Sequence, residues 1–178
     1  SWLIHRDGCI QVKLDVKKDM EFPFLPRFGL RLFLDQSLDR VRYCGMGPDE
    51  SYPDKHQASW HGIFEGDVRT MHRPYLKPQE YGSHWDCSWC EISGEEMSFQ
   101  ASSKEGFMFQ ACEYTQEELS EKAHDFELKE AGCTVLCLDH NQSGIGSGSC
   151  GPQLLEKYQF NEPEFSRTWV ITPGKRKE

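Results

Sequence analysis

The stretch Ile10-Gln11-Val12-Lys13-Leu14-Asp15-Val16-Lys17 alternates apolar and polar residues without a break. Successive side chains of a strand point to opposite sides, so Ile10, Val12, Leu14 and Val16 share one face and the four polar residues share the other. A helix, at 3.6 residues per turn, would spread the same four apolar residues over both of its sides. The pattern recurs after the Pro-rich turn Phe22-Pro23-Phe24-Leu25-Pro26, where Phe28, Leu30, Leu32 and Leu34 repeat it. Further strand-like runs lie near Arg40–Cys44, Trp85–Ile92, Met97–Ala101, Phe107–Cys112, Thr134–Asp139 and Phe165–Ile171, with Gly94, Gly106 and Gly132 read as turns between several of them. Strands of this number, apolar on one face and polar on the other, predict an all-β chain folded as one large antiparallel β-sandwich over residues 1–178.

One helix is expected. Thr115-Gln116-Glu117-Glu118 reads as a capping box, the Thr115 hydroxyl taking the Glu118 amide and the Glu118 carboxylate reaching back. The spacing predicts a short helix near residues 115–123. The segments Gly45–Pro78 and Asn141–Gln153 read as long loops, and loops of such length in a compact domain usually serve a function or pack on a neighbour.

Composition narrows the chemistry. With 20 Lys and Arg against 29 Asp and Glu, the net charge is −9, and the only basic cluster is Lys175-Arg176-Lys177. Phosphate binding needs clustered cations, so neither nucleic acid nor an anionic membrane surface is an expected partner. No stretch approaches the roughly 20 apolar residues that cross a bilayer. The eight cysteines mostly alternate with Val, Leu, Trp or Phe, where Cys acts as a small buried hydrophobe, so reduced thiols in a cytoplasmic protein are expected.

Several motifs carry a sharper reading beside a plainer one. Cys87-x-x-Cys90 with Cys133-x-x-x-Cys137 has the look of a four-thiolate zinc site. On a strand, however, residues three apart point to opposite faces, so Cys87 and Cys90 should diverge; no metal is expected. Gly144-x-Gly146-x-Gly148 follows a strand, but no helix opens after it to offer amides to a phosphate, and a tight glycine-dependent backbone path is the better reading. The seven histidines show no H-E-x-x-H spacing, although His56 and His61 share a loop. None of the carboxylates is marked by context as one of a glycosidase pair. Trp85 and Trp89 read as core or inter-domain packing. Trp60 and Tyr81, placed in loops, are candidate rings for stacking on a sugar, with packing as the alternative.

Taken in order, several of these loops resemble the last domain of the large β-galactosidases of glycoside hydrolase family 2. The segments are Leu25-Pro26-Arg27-Phe28-Gly29-Leu30, then Gly45-Met46-Gly47-Pro48-Asp49-Glu50-Ser51-Tyr52-Pro53-Asp54-Lys55, then Pro74-Tyr75 and Pro78-Gln79-Glu80-Tyr81-Gly82. The last is Leu138-Asp139-His140-Asn141-Gln142-Ser143-Gly144-Ile145-Gly146, leading into Ser149-Cys150-Gly151-Pro152. Lys55 stands where that family usually has Arg, and Tyr81 where it usually has Asn. The resemblance implies a galactose-mutarotase-like super-sandwich whose earliest strands lie upstream of Ser1. It implies that the catalytic carboxylates and a magnesium site belong to a (β/α)8 barrel with no counterpart in this chain, which is itself expected to be non-catalytic and to hold no cofactor. The implied partners are that barrel, a β-galactoside substrate and, the parents being commonly oligomeric, further copies of the same chain. It also implies a loop at the rim of the active site, with Asn141, Gly144, Gly146, Ser149 and Cys150 as the candidate residues. Cys150 falls where relatives present a sugar-stacking Trp, and a thiol offers no aromatic platform. The alternative reading is an independent carbohydrate-binding sandwich using Trp60 and Tyr81.

Overall fold

The structure, a computed structural model, describes residues 1–146 and 152–175. Among these residues nine strands form one antiparallel system: β1 Trp2–Ile4, β2 Ile10–Lys17, β3 Arg27–Leu34, β4 Arg40–Gly47, β5 Trp60–Asp67, β6 Ser83–Ser93, β7 Met97–Cys112, β8 Thr134–Gln142 and β9 Glu164–Lys175. Among the described residues the single α-helix, α1, spans Gln116–Glu121.

The 16-residue β7 organises the molecule. One edge pairs with β6, and beyond it β4 and β5 continue the sheet. The other edge divides. Met97–Ser102 pairs with β9, which carries β2 and β1, whereas Met108–Cys112 pairs with β8, which carries β3. The two branches fold over one another as the layers of an unclosed sandwich. Val12, Trp169 and Ile171 from one branch meet Leu136, Leu138, Leu30 and Leu32 from the other in a single apolar cluster. Phe165 of β9 crosses between the layers, edge-on to Phe28 at 5.3 Å and stacked on His140 at 4.4 Å. The predicted all-β sandwich is therefore the observed fold.

Four expectations change in detail. Gly106 is not a turn between two strands: it lies inside β7, with φ +70°. Opposite it, Asp86 has φ 53°, and the β6–β7 register shifts on both sides of Cys87. This bulge resets the alternation, so Cys87 and Cys90 both face the core, each fully buried. They do not diverge as an unbroken strand would require. The second change is β5, which runs through the segment read as a loop. Its inner face is Trp60, Gly62, Phe64 and Gly66, and the two glycines remove half of the alternation signal. The third is β1, a three-residue edge strand too short to read. The last concerns the helix, which is capped by the Thr115 hydroxyl on the Glu118 amide at 3.2 Å, while the Glu118 carboxylate accepts from the Lys129 amide instead of reaching back.

The seven described cysteines are all free, four of them buried. Burial holds the thiols of those four, Cys87, Cys90, Cys112 and Cys137, protonated, pushing Cys112 up to about 11 and Cys137 up to about 12. Among the described residues no cluster of His, Cys, Asp or Glu has metal-ligand geometry, and no helix is long and apolar enough to cross a membrane.

Candidate functional site

Where β8 ends, the chain runs into Ser143-Gly144-Ile145-Gly146, and a cluster of polar side chains lies beneath this loop. Its centre is Arg27, at the start of β3. The guanidinium donates to Asp139 at 2.5 Å, to Glu80 at 2.7 Å and to the side-chain Oε1 of Gln110 at 3.2 Å. Burial opposes the charge of Arg27, but Asp139 and Glu80 more than offset this and hold its proton beyond the ordinary range. Burial pushes the Glu80 carboxyl up, against the pull of Arg27 in the other direction. Glu80 also accepts from Ser83 at 2.7 Å and from Tyr52 at 3.3 Å. The Gln142 amide donates to Asp139 at 2.8 Å and to Ser83 at 3.1 Å, which ties the end of β8 to the same cluster.

A second carboxylate, Glu50, is buried next to it. It accepts from Lys55, from the Tyr75 hydroxyl and from the Gly82 amide, the last at 2.8 Å. Burial alone would raise its pKa, but these donors outweigh burial and hold it below the usual carboxylate range. Between Glu50 and Lys55 the chain makes a tight turn, with Tyr52 and Lys55 exchanging backbone hydrogen bonds of 2.8 and 3.0 Å. Asp54 sits in that turn. Its carboxylate accepts from the amides of Ile145 at 3.1 Å and Gly146 at 2.9 Å. The start of the loop is pinned from other directions: Ser143 bonds to Pro26 and Leu25, and the Gly144 amide donates to Tyr158 at 2.9 Å.

Between this loop and α1 lies a cleft of about 310 Å³, walled by Phe24, Pro26, Leu119 and Ile145, with Arg27 and Glu80 at its polar side. Both oxygens of each carboxylate in the cluster already have donors. The arrangement therefore holds a surface loop in place; it does not present a free acid and base to a substrate.

The candidate residues fall into three groups. Gly144 and Gly146 lie in the held loop, and Asn141 is the second-last residue of β8, its side chain accepting from the Gln142 backbone amide at 2.9 Å. Ser149 and Cys150 lie outside the described residues. The aromatics divide. Trp60, at the start of β5, is 59% exposed, with its ring edge-on to Phe64 at 5.6 Å. Tyr81 is 2% exposed and packs with Cys112, Leu119 and Val135, so its ring cannot stack on a sugar, and that expectation is corrected. It precedes the buried Gly82 and Ser83 at the start of β6, where a large ring completes a small apolar cluster under α1. The grouping of Arg27, Asp54, Glu80 and Asp139 was not apparent from any one motif. Each stands in a different segment of the sequence: hydrogen bonds join Arg27 to Glu80 and Asp139, and the Tyr52–Glu80 bond ties the Asp54 turn to them.

The segments that meet here are the four whose order carries the family resemblance, and direct comparison settles that resemblance. The family described as Beta galactosidase small chain matches residues 1–171. The chain belongs to the β-galactosidase small-chain family. The β-galactosidase of Actinobacillus pleuropneumoniae is 44% identical over 162 residues, covering 91% of this chain and 16% of that protein. That of Staphylococcus xylosus is 39% identical over 168 residues, covering 93% of this chain and 17% of the relative. That of Kluyveromyces lactis is 34% identical over 149 residues, covering 81% and 14%. This small-chain family member thus spans about a sixth of the length of the β-galactosidases it matches.

Proposed function

We propose that this chain is the non-catalytic C-terminal sandwich domain of a retaining family 2 β-galactosidase, cytoplasmic, acting on terminal β-D-galactosyl residues. In this reading it buttresses a catalytic (β/α)8 barrel and supplies the Asn141–Pro152 loop to the rim of the active site. The carboxylate pair and any magnesium belong to the barrel, and no residue of this chain is assigned to either.

The observation that carries the reading is the convergence of the motif segments on one loop. Arg27, Glu50, Tyr52, Asp54, Glu80, Asp139 and Gln142 come from four separated stretches and meet in one polar cluster, from which Asp54 reaches the Ile145 and Gly146 amides. A loop fixed by a carboxylate whose own turn is tied to a buried charge cluster suits a surface that must meet a ligand in one geometry. The engagement of Glu50, Glu80 and Asp139 with protein donors also supports a supporting role over a catalytic one.

The direct test offers the isolated chain a chromogenic β-galactoside. The expected result is no turnover, with activity returning when the chain is assembled with the rest of the enzyme. Hydrolysis by the isolated chain would overturn the non-catalytic assignment.

A further inference from the structure

The geometry points to Asp54 as the residue that positions the active-site rim, acting through the Ser143–Gly146 loop. The inference rests on the rim reading proposed above. One carboxylate takes two successive amides, Oδ1 from Ile145 at 3.1 Å and Oδ2 from Gly146 at 2.9 Å. Neither amide has a backbone acceptor among the described residues. Charged acceptors make stronger and more directional bonds than neutral ones, so this contact sets both the height and the orientation of the loop.

The glycines give an independent argument. Neither Gly144 nor Gly146 is in the left-handed region; the described glycines with positive φ are Gly8, Gly82, Gly106 and Gly132. Their backbone would accept any residue, so conformation does not explain them. Space does. A Cβ on Gly144 would lie 2.4 Å from Cγ of Asp54, and one on Gly146 would lie 2.9 Å from its Oδ2. The two glycines admit the carboxylate. Asp54 in turn is held in the Tyr52–Lys55 turn, which Tyr52 ties to Glu80 and Lys55 ties to Glu50. The loop is therefore referenced, through Asp54, to the buried Arg27 cluster.

The test compares Asp54→Ala, Asp54→Asn, Gly144→Ala and the double variant Asp54→Ala/Gly144→Ala in the assembled enzyme. It reads KM and kcat on a chromogenic β-galactoside and hydrogen exchange at the Ile145 and Gly146 amides. Asp54→Ala is expected to raise KM about tenfold with kcat within about twofold of the parent, and to speed exchange at least about tenfold at both amides. Asp54→Asn, which keeps one oxygen, should fall between. Gly144→Ala should resemble Asp54→Ala, because its methyl group cannot coexist with the carboxylate. In the double variant the methyl has room, so KM should be no worse than for Asp54→Ala alone. Fold-changes that multiply instead would mean that the two residues act separately, and would overturn the inference. Unchanged exchange in Asp54→Ala would overturn the clamp itself. Faster exchange with unaltered KM and kcat would leave the clamp but remove the rim role, and with it the inference.

Discussion

Arg27 donates to two carboxylates and an amide at once, with only 21% of its side chain exposed. Removing the guanidinium leaves Asp139, whose side chain is 3% exposed, without its counter-charge. Breaking one side of such a buried pair costs about 3–5 kcal/mol. Arg27→Met should therefore lower the urea midpoint of the chain by a corresponding amount, and Arg27→Lys should recover only part of it, since an ammonium cannot serve both partners in a fork. His84 gives a residue-scale prediction in pH. It is 2% exposed, packed against Tyr43 at 4.2 Å and Phe109 at 5.2 Å, and burial lowers its pKa from 6.5 to about 4. Below pH 6.5 the unfolded chain takes up a proton that the folded chain refuses until about pH 4. Stability present above pH 6.5 is thus lost as pH falls through that window, by about 1.4 kcal/mol per unit at most. Urea midpoints measured from pH 7 to pH 4.5 should fall less steeply for His84→Gln than for the parent. Arg27 stood in one of the family segments with no role of its own, and His84 stood in none. A lone Arg at a strand start and one of seven histidines have no local signature, because burial and partners come from segments far along the chain.

At the scale of the element, the β6–β7 bulge decides which residues form the core. Gly106 in β7 has φ +70°, and its nearest would-be Cβ neighbours, Oδ1 of Asp86 and the carbonyl oxygen of Cys87, lie at 3.5 and 3.7 Å. Space is adequate there, so the cost of a side chain is conformational. Gly106→Ala should destabilise by about 1–2 kcal/mol, and Gly106→Asn by less, because Asn tolerates the left-handed region; thermal unfolding of the pair checks the order. The strands around Ile10–Lys17 and Phe28–Leu34 were legible because an unbroken period of two survives wherever one face is buried. Cys87 and Cys90 were misplaced because one extra residue in a strand inverts every position beyond it, and a bulge is a pairing property that leaves no mark in a single run of residues. Strand β5 was missed for a compositional reason, its inner face being half glycine.

At the scale of the molecule, β9 lies between β2 and β7, so the last strand in sequence joins the first hairpin to the centre of the sheet. It also brings Trp169 and Ile171 into the core, both 2% exposed or less. Deleting residues 164–178 should leave β1 and β2 without a neighbour and abolish cooperative unfolding, measured by circular dichroism on heating. The pairing of Ile10 with Ile171 closes nearly the whole chain, and such distant contacts predict folding in milliseconds to seconds.

The all-β class, the antiparallel sandwich and membership of the β-galactosidase family were determined by the sequence, since alternation and ordered motifs are local and survive without coordinates. The tertiary structure alone decided that those motifs are one device. Arg27, Glu80 and Asp139 are as many as 112 positions apart, and only the folding of the β3–β8 branch against the β4–β6 loops brings their charges within hydrogen-bond range. It also decided that Tyr81 is core and that Gly144 is glycine to make room for a carboxylate. Both follow from what lies next to a residue in space, and that neighbourhood is set by packing across the layers.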